Sequence, residues 1–364
     1  MKPDILEIFE ALKEIMTVSG YETVNARAVL DTAIECTGDF FTSSEISENG
    51  SVILYHRSKN CDAKTLLIDA HIDTIGLVVT EILEGGFVRT APAGGIDKRN
   101  LATAEIEIYG KEKVRGIFSS VPPHLAGKDN TLPDFSDMLV DTGRSYDELC
   151  KIVSVGDPCV FVGKTIGLLG DRVSTAHLDD KICCAAIISA CARVGGDADC
   201  NVTVLLSSGE ETTQVGAKTA SFITTADGAV ALDVNFAKEK GVPDYQCSKL
   251  GDGAMISRSA VTDRRMTDIL VNCAKIEGVK HKVITETTGT GTNADVIEIS
   301  NKGTPCAVLS VPIRYMHTPG EVFAVGDAEC VSDILVCLMK NFDRLSREKE
   351  TLLGVRILKG GSEI

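Results

Sequence analysis

Apolar residues at Ile5, Ile8, Phe9, Leu12, Ile15 and Met16 recur with the helical period, and Ser19-Gly20 closes the run. A second helical stretch is predicted over about 22–36. Asn49-Gly50, flanked by short alternating segments, predicts a hairpin leading into a strand over 51–56, because such a turn needs positive φ. Leu66, Leu67 and Ile68 then read as a buried strand that ends in His71. From about 77 to 162 the texture changes to short β-rich runs, at 77–82, 104–109, 114–119 and 159–162. They are broken by Gly85-Gly86, Gly94-Gly95, Pro122-Pro123 and Gly156-Asp157-Pro158. Short strands punctuated in this way predict a small β-barrel or sandwich, read here as a second domain inserted into the first. From Thr165 the alternation of helix and strand returns. Helices are predicted at 179–194, 264–277 and 328–348, with strands at 201–206, 229–232 and 307–311. Beyond Leu353 only a polar, Gly-containing tail is expected.

Composition narrows what such a chain can do. Its 364 residues suit two domains or one large one, and a hydrophobic content of 44% supplies a core without help from disulfides or metals. The formal net charge of −15 disfavours nucleic acid and anionic membranes as partners, since both would be repelled at long range. Thirteen cysteines are an odd, scattered set with no Cys-x-x-Cys, and the start of the chain lacks the apolar region of a signal peptide. The expectation is a cytoplasmic protein with reduced, mostly buried thiols. The longest apolar stretch, 183–192, falls short of the ~18 residues of a membrane span and reads as a core helix.

The polar residues at the strand ends carry the chemistry. In the stretch 65–76, TLLIDAHIDTIG, His71 sits at the carboxyl end of a strand, the edge where open α/β sheets place their sites. Asp73, two residues on, is suited to orient the imidazole. Three further predicted strands end in Glu210-Glu211, Asp233 and His317, while Asp179-Asp180 opens a helix. Two His with three or four carboxylates suit Zn²⁺, Co²⁺ or Mn²⁺, whereas an all-oxygen set would point to Mg²⁺ or Ca²⁺. One bridging carboxylate lets five ligands build a pair of sites, leaving a sixth residue free as a base. Cys183 and Cys184 are expected to be packing, and His177 a turn or entry residue. His124 is placed on a surface or interface, and His56 and His281 carry no signal.

Taken together, His71-Ile-Asp73, Leu178-Asp179-Asp180, Glu210-Glu211 with Gly216-Ala217, Asp233 and Arg314-Tyr-Met-His317-Thr-Pro resemble the M42 family of metallo-aminopeptidases, the tetrahedral aminopeptidase group. Ser19-Gly-Tyr-Glu22, Ala93-Gly-Gly-Ile-Asp97, Pro122-Pro-His124, Val155-Gly-Asp157 and Gly291-Thr-Asn-Ala294 follow in the same order, so the resemblance runs from about Leu12 to Leu338. It implies an α/β fold with a mixed sheet, helices on both faces as in zinc peptidases, and an inserted small β-barrel. The catalytic domain would comprise 1–75 and 165–364, and 76–164 would be a dimerisation or oligomerisation domain.

By the same resemblance two divalent ions per subunit are expected, Zn²⁺ or Co²⁺, or else Mn²⁺. Asp179 would bridge them, with His71 and Asp233 completing one site and Glu211 and His317 the other. Glu210 would be the general base acting on a metal-bound water, Asp73 the orienter of His71, and Asp180 part of a strained turn. The expected partners are short peptides and other copies of the chain, in a dimer-based tetrahedral dodecamer with active sites facing an internal cavity. The chain departs from the family pattern at Lys181, where Arg is usual and a bidentate contact is lost, at Thr212-Thr213-Gln214, and at Asn293, where Asp is usual. The competing readings are a related two-metal carboxypeptidase or deacylase and a non-catalytic metal-bound assembly subunit. The Arg314–His317 segment favours the aminopeptidase over the first, and retention of Glu210 argues against the second.

Overall fold

A computed structural model describes residues 4–122 and 133–352. In chain order the strands are β1 Ser43–Ile46, β2 Val52–His56, β3 Thr65–His71, β4 Gly76–Ile82, β5 Phe87–Ala93, β6 Glu105–Tyr109, β7 Lys113–Phe118, β8 Leu139–Asp141 and β9 Pro158–Phe161. They continue with β10 Ile166–Gly167, β11 Arg172–Thr175, β12 Asn201–Ser207, β13 Gly228–Phe236, β14 Ala254–Arg258, β15 His281–Thr285, β16 Cys306–Arg314 and β17 Glu321–Ala324. The helices are α1 Ile5–Lys13, α2 Ala26–Thr37, α3 Tyr146–Ile152, α4 Leu178–Val194, α5 Val215–Ile223, α6 Arg264–Glu277, α7 Ala294–Ile297 and α8 Val325–Leu352.

The main sheet runs β1-β2-β12-β3-β13-β16-β17-β11-β10, with β14 and β15 attached beside β16. Its centre, β12-β3-β13-β16, is parallel and its margins are antiparallel apart from the parallel β14-β15 pair, so the sheet is mixed. Side chains alternate across it, as a strand requires. Leu66, Ile68 and Ala70 face a thick layer built from α1, α2, α4, α6 and α8. Leu67 faces a thinner layer containing Ala217 of α5 and Ala294 and Ile297 of α7. Helix α4 is buried almost all round between the sheet and the other helices, which is why 183–192 carries no polar stripe.

Strands β4-β5-β8-β7-β6-β9 close into an antiparallel barrel with its own core, including Leu77, Val88, Ile106, Val140 and Phe161. Of the two architectures that the punctuated strands allowed, the barrel is the one formed. The Asn49-Gly50 hairpin forms as expected, with Gly50 at φ 89° and no room for a Cβ, which would lie 2.7 Å from the Thr23 amide nitrogen.

Two expectations are corrected. The helix expected over 22–36 begins only at Ala26, preceded by a separate short turn at Glu22–Val24, because the Glu22 side chain is drawn inward to receive the Gly209 N–H. Asp233 does not end its strand, since β13 continues to Phe236. Pairing of β13 with β3 stops at Ala231, however, while pairing with β16 goes on. The sheet therefore parts beside His71, and Asp233 borders the opening. His124 and the tail beyond Leu353 lie outside the described residues. Among those described, no helix is long and apolar enough to cross a membrane.

Candidate metal centre and active site

Each donor reaches the site from the carboxyl side of the parallel strands or from the turn into α4. His71 is the last residue of β3, Asp233 lies late in β13, Glu210 and Glu211 follow β12, and His317 follows β16. Asp179 lies at the entry to α4 with non-helical backbone, and the Asp179–Asp180 peptide bond is cis.

Asp179 sits between the two imidazoles. Its Oδ1 is 3.1 Å from His71 Nε2 and its Oδ2 is 3.1 Å from His317 Nε2. Asp233 Oδ1 lies 3.8 Å from His71 Nε2, and Glu211 Oε1 lies 3.2 Å from His317 Nε2. Donor atoms of His71, Asp179 and Glu211 converge to within 4.8 Å of one another, as do those of His71, Asp180 and Asp233. Glu210 joins neither group, and its Oε2 is 4.0 Å from His71 Nε2. Asp180 thus enters as a further candidate donor. The residue pattern put it only at a helix start, and the family resemblance only in a turn.

The electrostatics fit a divalent cation. Burial alone would make His71 and His317 harder to protonate, yet the carboxylates close to each imidazole outweigh it. His71 is raised well above its ordinary range and His317 to about 11. Asp179, which burial would raise, is held well below the usual carboxylate range by the two imidazoles. Asp233 is pushed up to about 7, by burial first, and Glu210 to about 8, by burial and then by Asp233 and Glu211 against the opposing pull of His71. Both carboxylate oxygens of Asp180 and Glu211 Oε1 are buried without a hydrogen-bond partner. His317 is near Glu211 Oε1 in distance, but the alignment is not that of a hydrogen bond. Crowded carboxylates that raise imidazole basicity, with buried oxygens left over, form a set that positive charge would complete.

The surroundings fix the donors. His71 Nδ1 lies 2.9 Å from the backbone carbonyl of Asp73, while the nearer Asp73 carboxylate oxygen is at 3.5 Å. That carboxylate instead accepts the backbone N–H groups of Glu210 and Glu211, at 3.0 and 3.1 Å. His317 Nδ1 lies 2.9 Å from the carbonyl of Gly95, which follows the barrel strand β5. The neighbouring Gly94, at φ +88°, packs so closely that a Cβ there would lie 2.9 Å from Ile75 Cγ2, with Glu211 Cβ in ordinary contact at 3.4 Å.

Sequence reasoning missed Glu321 altogether. Its Oε2 accepts N–H from Leu178 at 2.7 Å and Asp179 at 3.4 Å, and its Oε1 accepts N–H from His317 at 2.9 Å. The one available signal was an acidic residue four positions after His317. Lys181, the departure from Arg, places its Nζ 3.1 Å from the Leu12 carbonyl and 2.6 Å from the Ile15 carbonyl, capping the end of α1. Asn293 donates to Asp69 and to Ser207, both at 2.9 Å, where an Asp would meet a second buried carboxylate. Thr212 pairs with Ser19 and Gln214 donates to the Thr292 carbonyl. His177 lies at φ 64° with Nε2 on the Phe161 carbonyl, away from the donors, and Cys183 and Cys184 are core.

A cavity of about 420 Å³ opens from the donors, lined on one side by Asp179, Glu210, Glu211, Asp233 and His317 and on the other by residues 286–292. The family model for M42 glutamyl aminopeptidases matches residues 50–334. A lysyl aminopeptidase of Pyrococcus furiosus is 30% identical over 329 residues, covering 89% of this chain and 93% of that protein. Among solved structures, an aminopeptidase from the archaeon Desulfurococcus kamchatkensis superposes with a TM-score of 0.87 at 24% identity, over 97% of this chain and 98% of its own. The TET1 peptidase of Pyrococcus horikoshii, which can assemble into a tetrahedron or a large octahedral shell, gives a TM-score of 0.79 at 26% identity, over 92% and 99%.

Proposed function

The chain belongs to the M42 glutamyl aminopeptidase family, a metal-dependent group of exopeptidase hydrolases, and we propose that it removes N-terminal residues from short peptides using two divalent cations. The observation that carries this reading is Asp179, which offers one carboxylate oxygen at 3.1 Å to the neighbourhood of each imidazole. In the proposed assignment Asp179 is shared, His71 and Asp233 hold one ion, and Glu211 and His317 hold the other. Zn²⁺ and Co²⁺ suit this mixed nitrogen and oxygen set, and Mn²⁺ is also accommodated. When bound, such a pair lowers the pKa of water to about 7 and polarises a carbonyl oxygen.

The remaining steps fall to the protein. Glu210, outside both converging donor groups, takes the proton of the attacking water and delivers it to the leaving amine. Its carboxyl, raised to about 8 by burial and its acidic neighbours, must be ionised to act, and positive charge at this end of the cavity favours that state. Asp73 fixes the position of Glu210 through two backbone N–H groups of the Glu210-Glu211 turn.

The assignment of 1–75 and 165–364 as the catalytic domain, and of 76–164 as an oligomerisation domain, is part of the proposal. Ile117, Val121, Tyr146 and Val155 of the insert are exposed apolar side chains that another copy of the chain could cover. The shells of the TET1 peptidase support a homo-oligomer here too. The family description names glutamate and the Pyrococcus furiosus relative is named for lysine, so the comparisons leave the preferred residue open. Chain stripped of metal and reloaded with Zn²⁺, Co²⁺ or Mn²⁺ should hold two ions and hydrolyse aminoacyl arylamides. Absence of hydrolysis with all three metals would overturn the reading.

A further inference from the structure

The cavity that contains the metal-binding residues carries one carboxylate that the reaction does not use. Glu286 follows β15, is half-buried, and lines the same cavity as Glu210 and Asp233. Its Oε1 accepts Asn235 Nδ2 at 3.0 Å and Ser257 Oγ at 3.1 Å. The Asn235 amide cannot turn over without loss, because its Oδ1 accepts the Phe236 N–H at 2.7 Å. Both protein donors therefore converge on Oε1, and Oε2 has no hydrogen-bond partner and is closed to solvent, so a ligand in the cavity would reach it only as the Glu286 side chain turns.

Position and charge both bear on what would meet that oxygen. Asn235 lies two residues beyond Asp233 on β13, so the two side chains leave the same face of the strand, about 7 Å apart along it. Glu286, held by Asn235, thus shares a cavity with the donors. No Lys or Arg is among the residues lining the cavity. Four of the five carboxylates lining the cavity, Asp179, Glu210, Glu211 and Asp233, belong to the proposed catalytic centre. Glu286 is the fifth and has no part in it. Apart from these and His317 the lining is uncharged, with Gln246, Thr287, Thr288 and Thr290.

We propose that Glu286 is the specificity-determining residue of the pocket for the substrate's first side chain, and that it selects a basic residue, lysine or arginine, whose cationic head pairs with the Glu286 carboxylate. This rests on the aminopeptidase reading and adds its substrate class. An acidic first residue would meet an unpaired carboxylate and be excluded. An aliphatic one would leave a buried carboxylate oxygen unsatisfied.

The test compares lysine, arginine, leucine and glutamate p-nitroanilides on the metal-loaded chain, with Glu286→Gln beside the wild type and melting curves for both. Wild type should favour lysyl over leucyl substrate roughly 10- to 100-fold in kcat/KM, the range expected for a hydrogen bond to a charged group. Glu286→Gln should collapse that ratio towards one. A wild type that cleaves leucyl or glutamyl substrate as well as lysyl overturns the proposal. So does a variant that loses activity on all substrates in equal measure, which would place Glu286 on the α-amino group instead. If no arylamide is cleaved, the aminopeptidase reading itself falls. Calorimetric binding of lysine against norleucine, which lacks only the charged head, then still decides the pocket, because equal affinity for the two refutes it.

Discussion

Glu321→Gln isolates a residue that never touches substrate in the proposed mechanism yet secures two of the donors. The wild-type carboxylate accepts three backbone N–H groups, from Leu178 and Asp179 on one oxygen and from His317 on the other. Glutamine has one carbonyl oxygen. Its best placement keeps the 2.7 Å bond from Leu178 and turns the amide NH₂ towards the His317 N–H. One charge-assisted hydrogen bond is lost, worth roughly 1.5–3 kcal/mol, and two donors then face each other. His317 sits at φ 62°, a conformation that a non-glycine residue keeps only when its surroundings hold it. The cost should fall on the site containing His317. Competitive titration of the metal-free chain with Zn²⁺ and a chelator should show that equivalent weakened by about 10- to 100-fold, the effect typical of losing a group that orients a ligand. The other equivalent should shift less. Glu321→Ala, which removes all three acceptor contacts, should weaken both and lower the melting temperature further. If both variants bind two equivalents with wild-type affinity and melt as the wild type does, Glu321 does not position these donors.

Three further outcomes are expected. Glu210→Gln should retain both metals by elemental analysis while kcat falls by about 10²–10⁴, whereas Glu211→Gln should lose metal and activity together; the reverse pattern would swap the two roles. Asn293→Asp should lower stability by roughly 1–3 kcal/mol, read as a shift in denaturant midpoint, because it replaces the donor to buried Asp69 with a second carboxylate; an unchanged midpoint would show that the buried pair rearranges. In the native chain a thiol reagent should label exposed Cys61 and Cys150 first, half-buried Cys36 and Cys330 more slowly, and the nine buried thiols only on unfolding; rapid labelling of Cys183 or Cys184 would contradict the packing of α4.

Residues whose environment is one-sided and local were legible from sequence. The parallel strands stood out as apolar runs ending in donors, and α1 showed one apolar face. Elements with mixed environments were not. Strand β5 (FVRTAPA) alternates between the barrel core and solvent but contains Arg89 and Pro92, and β15 (HKVIT) has only Ile284 fully buried. Helix α5 carries Gly216 as its second residue, which reads as a break. There the glycine is required because a Cβ would lie 2.4 Å from the Ser208 amide nitrogen. At the site, His71, Asp179, Glu210, Glu211, Asp233 and His317 were visible because each stands at or near the end of an apolar strand or opens a helix. Asp180 was hidden beside Asp179, since adjacent carboxylates at a helix start are ordinary. Glu286 was hidden because its partners Asn235 and Ser257 come from two other strands.

Three buried carboxylates outside the proposed ligand set clamp the loops that carry most of it. Asp73 holds the Glu210-Glu211 turn, Glu22 accepts the Gly209 N–H at 2.8 Å just before that turn, and Glu321 joins the entry of α4 to His317. Each acts mainly on backbone N–H groups, so the donors are placed by hydrogen bonds that need no metal. The cost of crowding acidic groups in a buried region appears in the clamps themselves, with Glu22 raised to about 7 and Glu321 to about 8, in both cases by burial first and despite the backbone N–H groups they accept. Such a clamp cannot be read from local spacing. Asp73 and Glu210 are 137 residues apart, Glu22 and Gly209 187, and Glu321 and Leu178 143. The clamp therefore exists only once the parallel strands have brought their carboxyl ends together, and for that reason the fold must be largely complete before the site can take its shape.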